Sequence, residues 1–192
     1  MRTLVLASTS RYRRELLQRL QIPFVTDSPE VDETPHANET PAATALRLAE
    51  AKARAVAPRH PDALIIGSDQ VASVGDERFG KPGTVARAVA QLQRMSGRSI
   101  VFHTALALLD ARDGSIQVCD VPTEVAIRRL GDEEIVRYIE REQPLDCAGS
   151  AKCEGQGISL MEHMRGDDPN ALIGLPLIAL CAMLRKVGIS IP

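Results

Sequence analysis

The segment LVLASTSRYRRELL, residues 4 to 17, passes from an apolar run through Ser8, Thr9 and Ser10 to Arg11, Arg13 and Arg14. A single tyrosine, Tyr12, stands among the arginines before apolar residues resume. Ser10 suits the N-cap of a helix, yet the helix dipole disfavours cations at that end. The arrangement makes chemical sense around an anion. Free backbone N–H groups at a helix start, hydroxyls just before it and guanidinium forks beside it all converge on a phosphate. The competing reading of the three arginines is a solvated helix face.

Other charged residues extend the phosphate reading. Asp69 ends ALIIGSD, the most apolar segment of the chain, and the carboxyl ends of strands in α/β sheets line ligand crevices. Lys81 lies in GKPGT ahead of an expected helix, Lys52 in an alanine-rich helix, and Glu33 in an acidic loop. Two carboxylates with a set of lysines and arginines can do metal-assisted phosphoryl chemistry. The carboxylates hold a divalent cation or activate water, and the cations neutralise phosphate charge. Taken singly, each is an ordinary surface charge, and sequence spacing alone does not bring them together.

The elements that must position these residues are readable from periodicity. Residues 3 to 7 suit a buried strand, followed by a helix from Ser10 to about Leu20 and a short strand over 22 to 26. DSPEVDETPHANETP is a proline-punctuated loop. A helix begins near Pro41, with Leu46, Ala49, Ala53 and Val56 on one face, and ends before Pro58. ALIIGSD is a buried strand delivering Asp69 at its end. A hairpin-like segment around VGDERFGKPG leads to a helix from about Thr84 to Met95. SIVFHTALALLD and SIQVCDVPTEVAIRRL read as long strands joined at Asp113-Gly114, a hairpin signal. A helix over 131 to 142, the glycine-containing loop PLDCAGSAKCEGQG and a helix from about Leu175 to Val187, stopped by Gly188, complete the chain. Helices mixed with apolar strands and a long antiparallel pair predict an α/β fold with a mixed sheet. Residues 1 to 192 read as one domain, with no repeat or linker.

Composition excludes several classes. A net charge of −2 gives no basic field for duplex binding, and the scarcity of aromatic residues argues against an RNA-binding module. No run of 18 or more apolar residues predicts a membrane span, and the N-terminal apolar run is too brief for a signal peptide. The four cysteines, Cys119, Cys147, Cys153 and Cys181, form no C-x-x-C, which predicts reduced thiols in the cytosol. GQG at 155 to 157 lacks the third glycine of a dinucleotide fingerprint.

LASTSRYRRELL, VDET, LRLAEAKA, IIGSDQV, GKP, LDCAGS and NALIGLPL, in this order from residue 4 to about 186, together resemble the Maf family of nucleoside triphosphate pyrophosphatases. The resemblance implies a twisted mixed sheet with a cleft between two lobes, of the inosine triphosphate pyrophosphatase type. It also implies hydrolysis of the α–β phosphoanhydride of a nucleotide, giving a monophosphate and pyrophosphate. A divalent metal, magnesium or manganese, and a cytoplasmic homodimer are further implications. Carried over by motif, Asp69 is the proton acceptor, Lys52 and Lys81 face the phosphates, Arg13 clamps the triphosphate with Ser8 nearby, and Glu33 helps Asp69 hold the metal. Arg14 matches less securely. Magnesium held by few carboxylates and mainly by substrate phosphates agrees with the lack of a dedicated metal motif.

Family members acting on dTTP and UTP carry an arginine, a threonine and a glutamine where this chain has Tyr12, Gln70 and Glu154. The chain is more similar to the branch acting on 7-methylguanosine triphosphate, in which tryptophan is common at the Tyr12 position. A methylated, cationic guanine gains a cation–π interaction on an aromatic face. Glu154 can accept from guanine N1–H and N2–H, and Gln70 offers a donor and an acceptor. Two rival expectations remain: the pyrimidine preference within the same family, and a nucleotide-binding regulator of septum formation without turnover.

Overall fold

A computed structural model describes residues 2–191. Its sheet has seven strands. The first half of the chain gives β1 (Leu4–Ala7), α1 (Arg11–Gln18), β2 (Phe24–Asp27), α2 (Pro41–Val56), β3 (Leu64–Val74) and β4 (Glu77–Phe79). The second half gives α3 (Val85–Met95), β5 (Ser99–Asp110), β6 (Ile116–Ile127), α4 (Asp132–Glu142), β7 (Met161–Gly166) and α5 (Leu177–Lys186). Short 3₁₀ turns lie at Ala148–Ser150 and Gln156–Leu160.

The sheet order is β2-β1-β3-β5-β6-β7, with β4 also on β3. β1 pairs in parallel with β2 and β3, and the remaining pairings are antiparallel. The mixed sheet expected from the sequence is therefore present. Ser10 caps α1 and Thr40 caps α2, each accepting a hydrogen bond from the backbone three residues on. Gly114, with φ of 76°, closes the β5–β6 turn as its left-handed geometry requires.

One edge of β3 is shared in a way that creates the site. β1 pairs with β3 only as far as Gly67, and β4 takes up that edge from Ala72. Residues 68 to 71 lie in the gap between them. The other edge of β3 stays on β5 from Leu64 to Ser73, so this backbone remains paired on one side where a strand neighbour is missing on the other. Asp69 is thus not at the end of its strand, as the apolar run suggested. It stands two residues past the last pairing with β1, and the strand runs on because β5 pairs with it to Ser73 and β4 to Val74.

Alternation then divides the gap residues between two faces. Ile65 packs in the layer under α2 with Ala45, Ala49 and Ala53, and Asp69 shares its parity. Leu64 and Ile66 pack against α1 and α5, and Ser68 and Gln70 share theirs. A separate layer, containing Met95, Phe102, Val125 and Leu172, fills the second half of the sheet, and another joins α3 to α4.

Periodicity missed β7, whose MEHMRG sequence has no apolar alternation because nearly all of the strand is exposed. It pairs with β6 over Thr123–Ile127, leaving the start of β6 as a free edge. Pro122 sits there opposite His103, a position where its missing N–H costs no ladder bond. α5 begins at Leu177, later than expected, after Gly174 (φ 126°) and Pro176. Among the described residues no helix is long and apolar enough to cross a membrane.

Candidate active site

A cleft of about 550 Å³ opens at the gap in the β3 edge. It is lined by Tyr12, Arg13, Glu33, Lys52, Asp69, Gln70, Lys81 and Glu154. Ser8 is the one expected site residue outside it. Ser8 is buried, accepts a hydrogen bond from the Ser10 backbone N–H at 3.1 Å, and borders a smaller cavity with Arg14 and Asp27. It shapes the loop that delivers α1, and Arg14 points away from the main cleft with it.

At the back of the cleft, α2 presses on β3 through small residues. A Cβ at Gly67 would lie 2.0 Å from the Ala49 carbonyl oxygen. This close approach sets Lys52 against the strand edge. Lys52 and Asp69 are both buried, and the Lys52 Nζ donates to Asp69 Oδ1 at 2.6 Å. The same ammonium lies 2.5 Å from Glu33 Oε1, brought in by the loop before α2. An ammonium has three donors, so the one left over is available to a phosphate. Lys52 was expected only to face the phosphates; here it also ties the two carboxylates together.

Burial works to raise the pKa of Glu33. The hydrogen bond from Lys52 and the charges of Lys52, Lys81 and Arg13 outweigh it and hold the carboxyl below its ordinary value. Burial lowers the pKa of Arg13, opposed by the charges of Asp69 and Glu33. Arg13 is anchored by Nε, which donates to the Gly174 carbonyl oxygen at 2.8 Å. That oxygen also accepts from Ser68 Oγ at 3.0 Å. The anchor leaves the two terminal guanidinium nitrogens as a fork. Lys81 enters from the exposed loop between β4 and α3.

The carboxylate pair bears on the metal. Among the described residues no cluster of three or more His, Cys, Asp or Glu side chains could hold an ion. Glu33 and Asp69 nevertheless bring one oxygen each to a single positive centre, the Lys52 ammonium. Two hard oxygen donors with no third protein ligand fit a divalent cation that takes its remaining ligands from substrate and water.

The other end of the cleft is built from loops far apart in sequence. The Tyr12 hydroxyl donates to Asp146 Oδ1 at 3.2 Å and accepts from Arg11 Nη2 at 2.6 Å. The Arg11 guanidinium lies over the Tyr12 ring, 4.7 Å from its centroid. One ring face is thus covered, which the sequence did not indicate. Gln70 also differs from expectation. Its Nε2 faces Thr104 Oγ1 and the carbonyls of Ala171 and Leu172 at 2.9–3.1 Å. The nitrogen is spent on the scaffold, which leaves Oε1 as an acceptor. Glu154 is exposed at the rim. Cys147 also lines the cleft, and its thiol is pushed up to about 12, chiefly by burial, with Asp146 and Glu154 adding to the effect.

The sequence names Arg11 only within the arginine cluster read as a phosphate site, whereas its guanidinium lies on Tyr12; Asp146 and the Gly174 carbonyl are not singled out as individual contributors. Asp146 and Gly174 lie inside LDCAGS and NALIGLPL, so the signal was present in those motifs without a role attached.

The geometry can be set beside known proteins. A family model described as Maf-like protein matches residues 3–187. The chain is 62% identical to the 7-methyl-GTP pyrophosphatase of Aromatoleum aromaticum, covering 98% of this chain and 97% of that protein. It is 61% identical to the 7-methyl-GTP pyrophosphatase of Thiobacillus denitrificans, covering 98% and 94%. Among solved structures, the Ham1 protein of Staphylococcus aureus superposes with a TM-score of 0.52 at 14% identity, covering 97% of this chain and 100% of that one. That likeness is one of fold alone. The family match spans nearly the whole sequence and agrees with the motifs that build the cleft; the chain belongs to the Maf-like protein family.

Proposed function

We propose that this chain hydrolyses 7-methylguanosine triphosphate to 7-methylguanosine monophosphate and pyrophosphate. The observation that carries the chemistry is the buried Lys52–Asp69 pair, joined by the exposed carboxylate of Glu33 and facing the fork of Arg13. The two relatives above are named as pyrophosphatases acting on that nucleotide.

In this reading Asp69 takes the proton of the attacking water. Lys52 occupies Oδ1, and among the described residues no hydrogen bond reaches Oδ2, which is the oxygen left to act as base. Arg13, Lys81 and the spare donor of Lys52 bind the triphosphate and offset charge as it shifts toward the leaving pyrophosphate. A magnesium or manganese ion held by Glu33, Asp69 and the substrate would supply further charge neutralisation when bound. At the opposite end Tyr12 stacks on the methylated base, while Glu154 and Gln70 Oε1 accept guanine protons. Gln70 serves here as an acceptor, because its nitrogen is committed. A homodimer in the cytoplasm belongs to the same reading and rests on the family resemblance.

The test is a panel of canonical and methylated nucleoside triphosphates with magnesium or manganese, read as pyrophosphate release. 7-Methyl-GTP should give the highest kcat/KM, and Asp69→Asn should lower turnover by about 10²–10⁴ with little change in folding. Preferred cleavage of dTTP or UTP would overturn the assigned base. Absence of pyrophosphate release would overturn catalysis in favour of a binding protein.

A further inference from the structure

The base end of the cleft already holds a planar cation, contributed by the chain itself. The Arg11 guanidinium lies over the Tyr12 ring at 4.7 Å and bonds the phenol oxygen at 2.6 Å. Its Nη2 stands 3.9 Å from Asp146 Oδ2, while Asp146 Oδ1 accepts from the Tyr12 hydroxyl. An aromatic face and a carboxylate thus grip one delocalised cation between them, the arrangement by which cations are held over rings. The Arg11 and Asp146 side chains are 57% and 56% exposed. Their attraction is therefore weak and screened, and the guanidinium can give way to a ligand.

We infer that Tyr12 and Asp146 form a cation subsite for the nucleobase and that Arg11 is its built-in competitor. Arg11 and Asp146 together then set how strongly a positively charged, N7-methylated guanine is preferred over neutral guanine. The inference rests on the base assignment proposed above. A methylated guanine resembles the guanidinium in being flat and carrying a spread positive charge, so it can take the same place. Arg11 opposes it in two ways. It covers the ring, and its charge, tethered at the first residue of α1, repels the incoming cation and neutralises Asp146. A neutral guanine meets the first obstacle but not the second. Asp146 acts in the opposite direction, since its charge favours the methylated base alone. Glu154, on the same rim and near enough to Cys147 to raise its pKa along with Asp146, adds to the negative character of this end. The opposite end carries Arg13 and Lys81. The cleft is therefore polarised in the sense of a nucleotide with a cationic base and an anionic phosphate chain.

The experiment measures kcat/KM for 7-methyl-GTP and GTP in the parent, Arg11→Gln, Asp146→Asn and the double variant. Asparagine keeps an acceptor for the Tyr12 hydroxyl and removes only the charge. Arg11→Gln should raise the methylated-to-unmethylated ratio about threefold to tenfold, through KM rather than kcat. Asp146→Asn should lower the ratio by a similar factor, and Asp146→Glu should retain most of it. In the double variant the gain from removing Arg11 should shrink, because the two act on one another. An unchanged ratio in Arg11→Gln overturns the inference. So does an equal loss on both substrates, which would make Arg11 a phosphate ligand. A parent indifferent to methylation refutes the base assignment by itself; the subsite then stands only if Arg11→Gln creates a preference, and falls if it does not.

Discussion

Arg13 shows how one side chain is specified by contacts that charge alone would not require. Its Nε is fixed by the Gly174 carbonyl, which orients the fork of terminal nitrogens toward the cleft. Lysine has neither the Nε anchor nor the planar fork. Arg13→Lys should therefore lower kcat/KM for any triphosphate by roughly 10–100-fold, the scale of one lost charge-assisted contact. KM should rise with methylated and unmethylated nucleotides alike, and thermal stability should barely move. A variant within twofold of the parent would return Arg13 to the status of a solvated charge. At this scale legibility followed locality. Asp69 and Lys52 could be picked out because each is a charge embedded in an apolar or alanine-rich run. Asp146 could not, because its partner Tyr12 is 134 residues away and its own segment is irregular loop. Gln70 was found, but its amide orientation was not, since that is set by carbonyls 101 and 102 residues distant.

Among the elements, α2 and β3 matter most, because their separation fixes the Lys52–Asp69 distance. The alanines on α2 and the bare Cα of Gly67 allow helix and strand to approach more closely than ordinary side chains permit. A methyl at Gly67 would sit 2.0 Å from the Ala49 carbonyl oxygen and 2.9 Å from the Ala53 nitrogen, both backbone atoms. Backbone cannot swing aside as a side-chain tip does. Gly67→Ala should destabilise the fold by about 1–3 kcal/mol, the usual cost of overpacking. Whatever folds should also lose turnover, because α2 is pushed off the strand and carries Lys52 with it. Denaturant unfolding and pyrophosphate release on the same sample check both parts; wild-type stability would show that the helix moves freely. The α2 helix itself was legible from its apolar period and from Pro41 at its start. The helix–strand contact was legible only as an unexplained glycine in an apolar strand. β7 was invisible for the opposite reason: an exposed edge strand needs no alternating pattern, so its sequence carries none.

For the whole molecule, the decisive fact is that the cleft draws residues from both halves of the sheet. Arg13, Glu33, Lys52 and Asp69 come from the half built on β1, α2 and the start of β3. Lys81, Asp146 and Glu154 come from the half built on β4, α3 and the loop after α4. The two halves have separate apolar layers, and the long strands β3, β5 and β6 run through both. On the proposed function a bound triphosphate would contact both halves at once, so binding energy would become coupling between them. A non-hydrolysable triphosphate analogue at about 100 times its Kd should add about 2.7 kcal/mol of stability. For a chain of this length that is a rise of roughly 5–10 °C in Tm. On the same reading, Lys81→Ala removes the phosphate contact proposed for the second half. If affinity drops tenfold, the stabilisation at the same analogue concentration should shrink by about 1.4 kcal/mol. Hydrogen exchange locates the effect. The analogue should slow exchange in the loop around Asp146 and Glu154 as well as at the start of α1, and Lys81→Ala should weaken the first more than the second. Protection confined to α1 and β3 in the parent would mean that the nucleotide is held by one half alone. Lys81 and the acidic rim would then have no part in binding it.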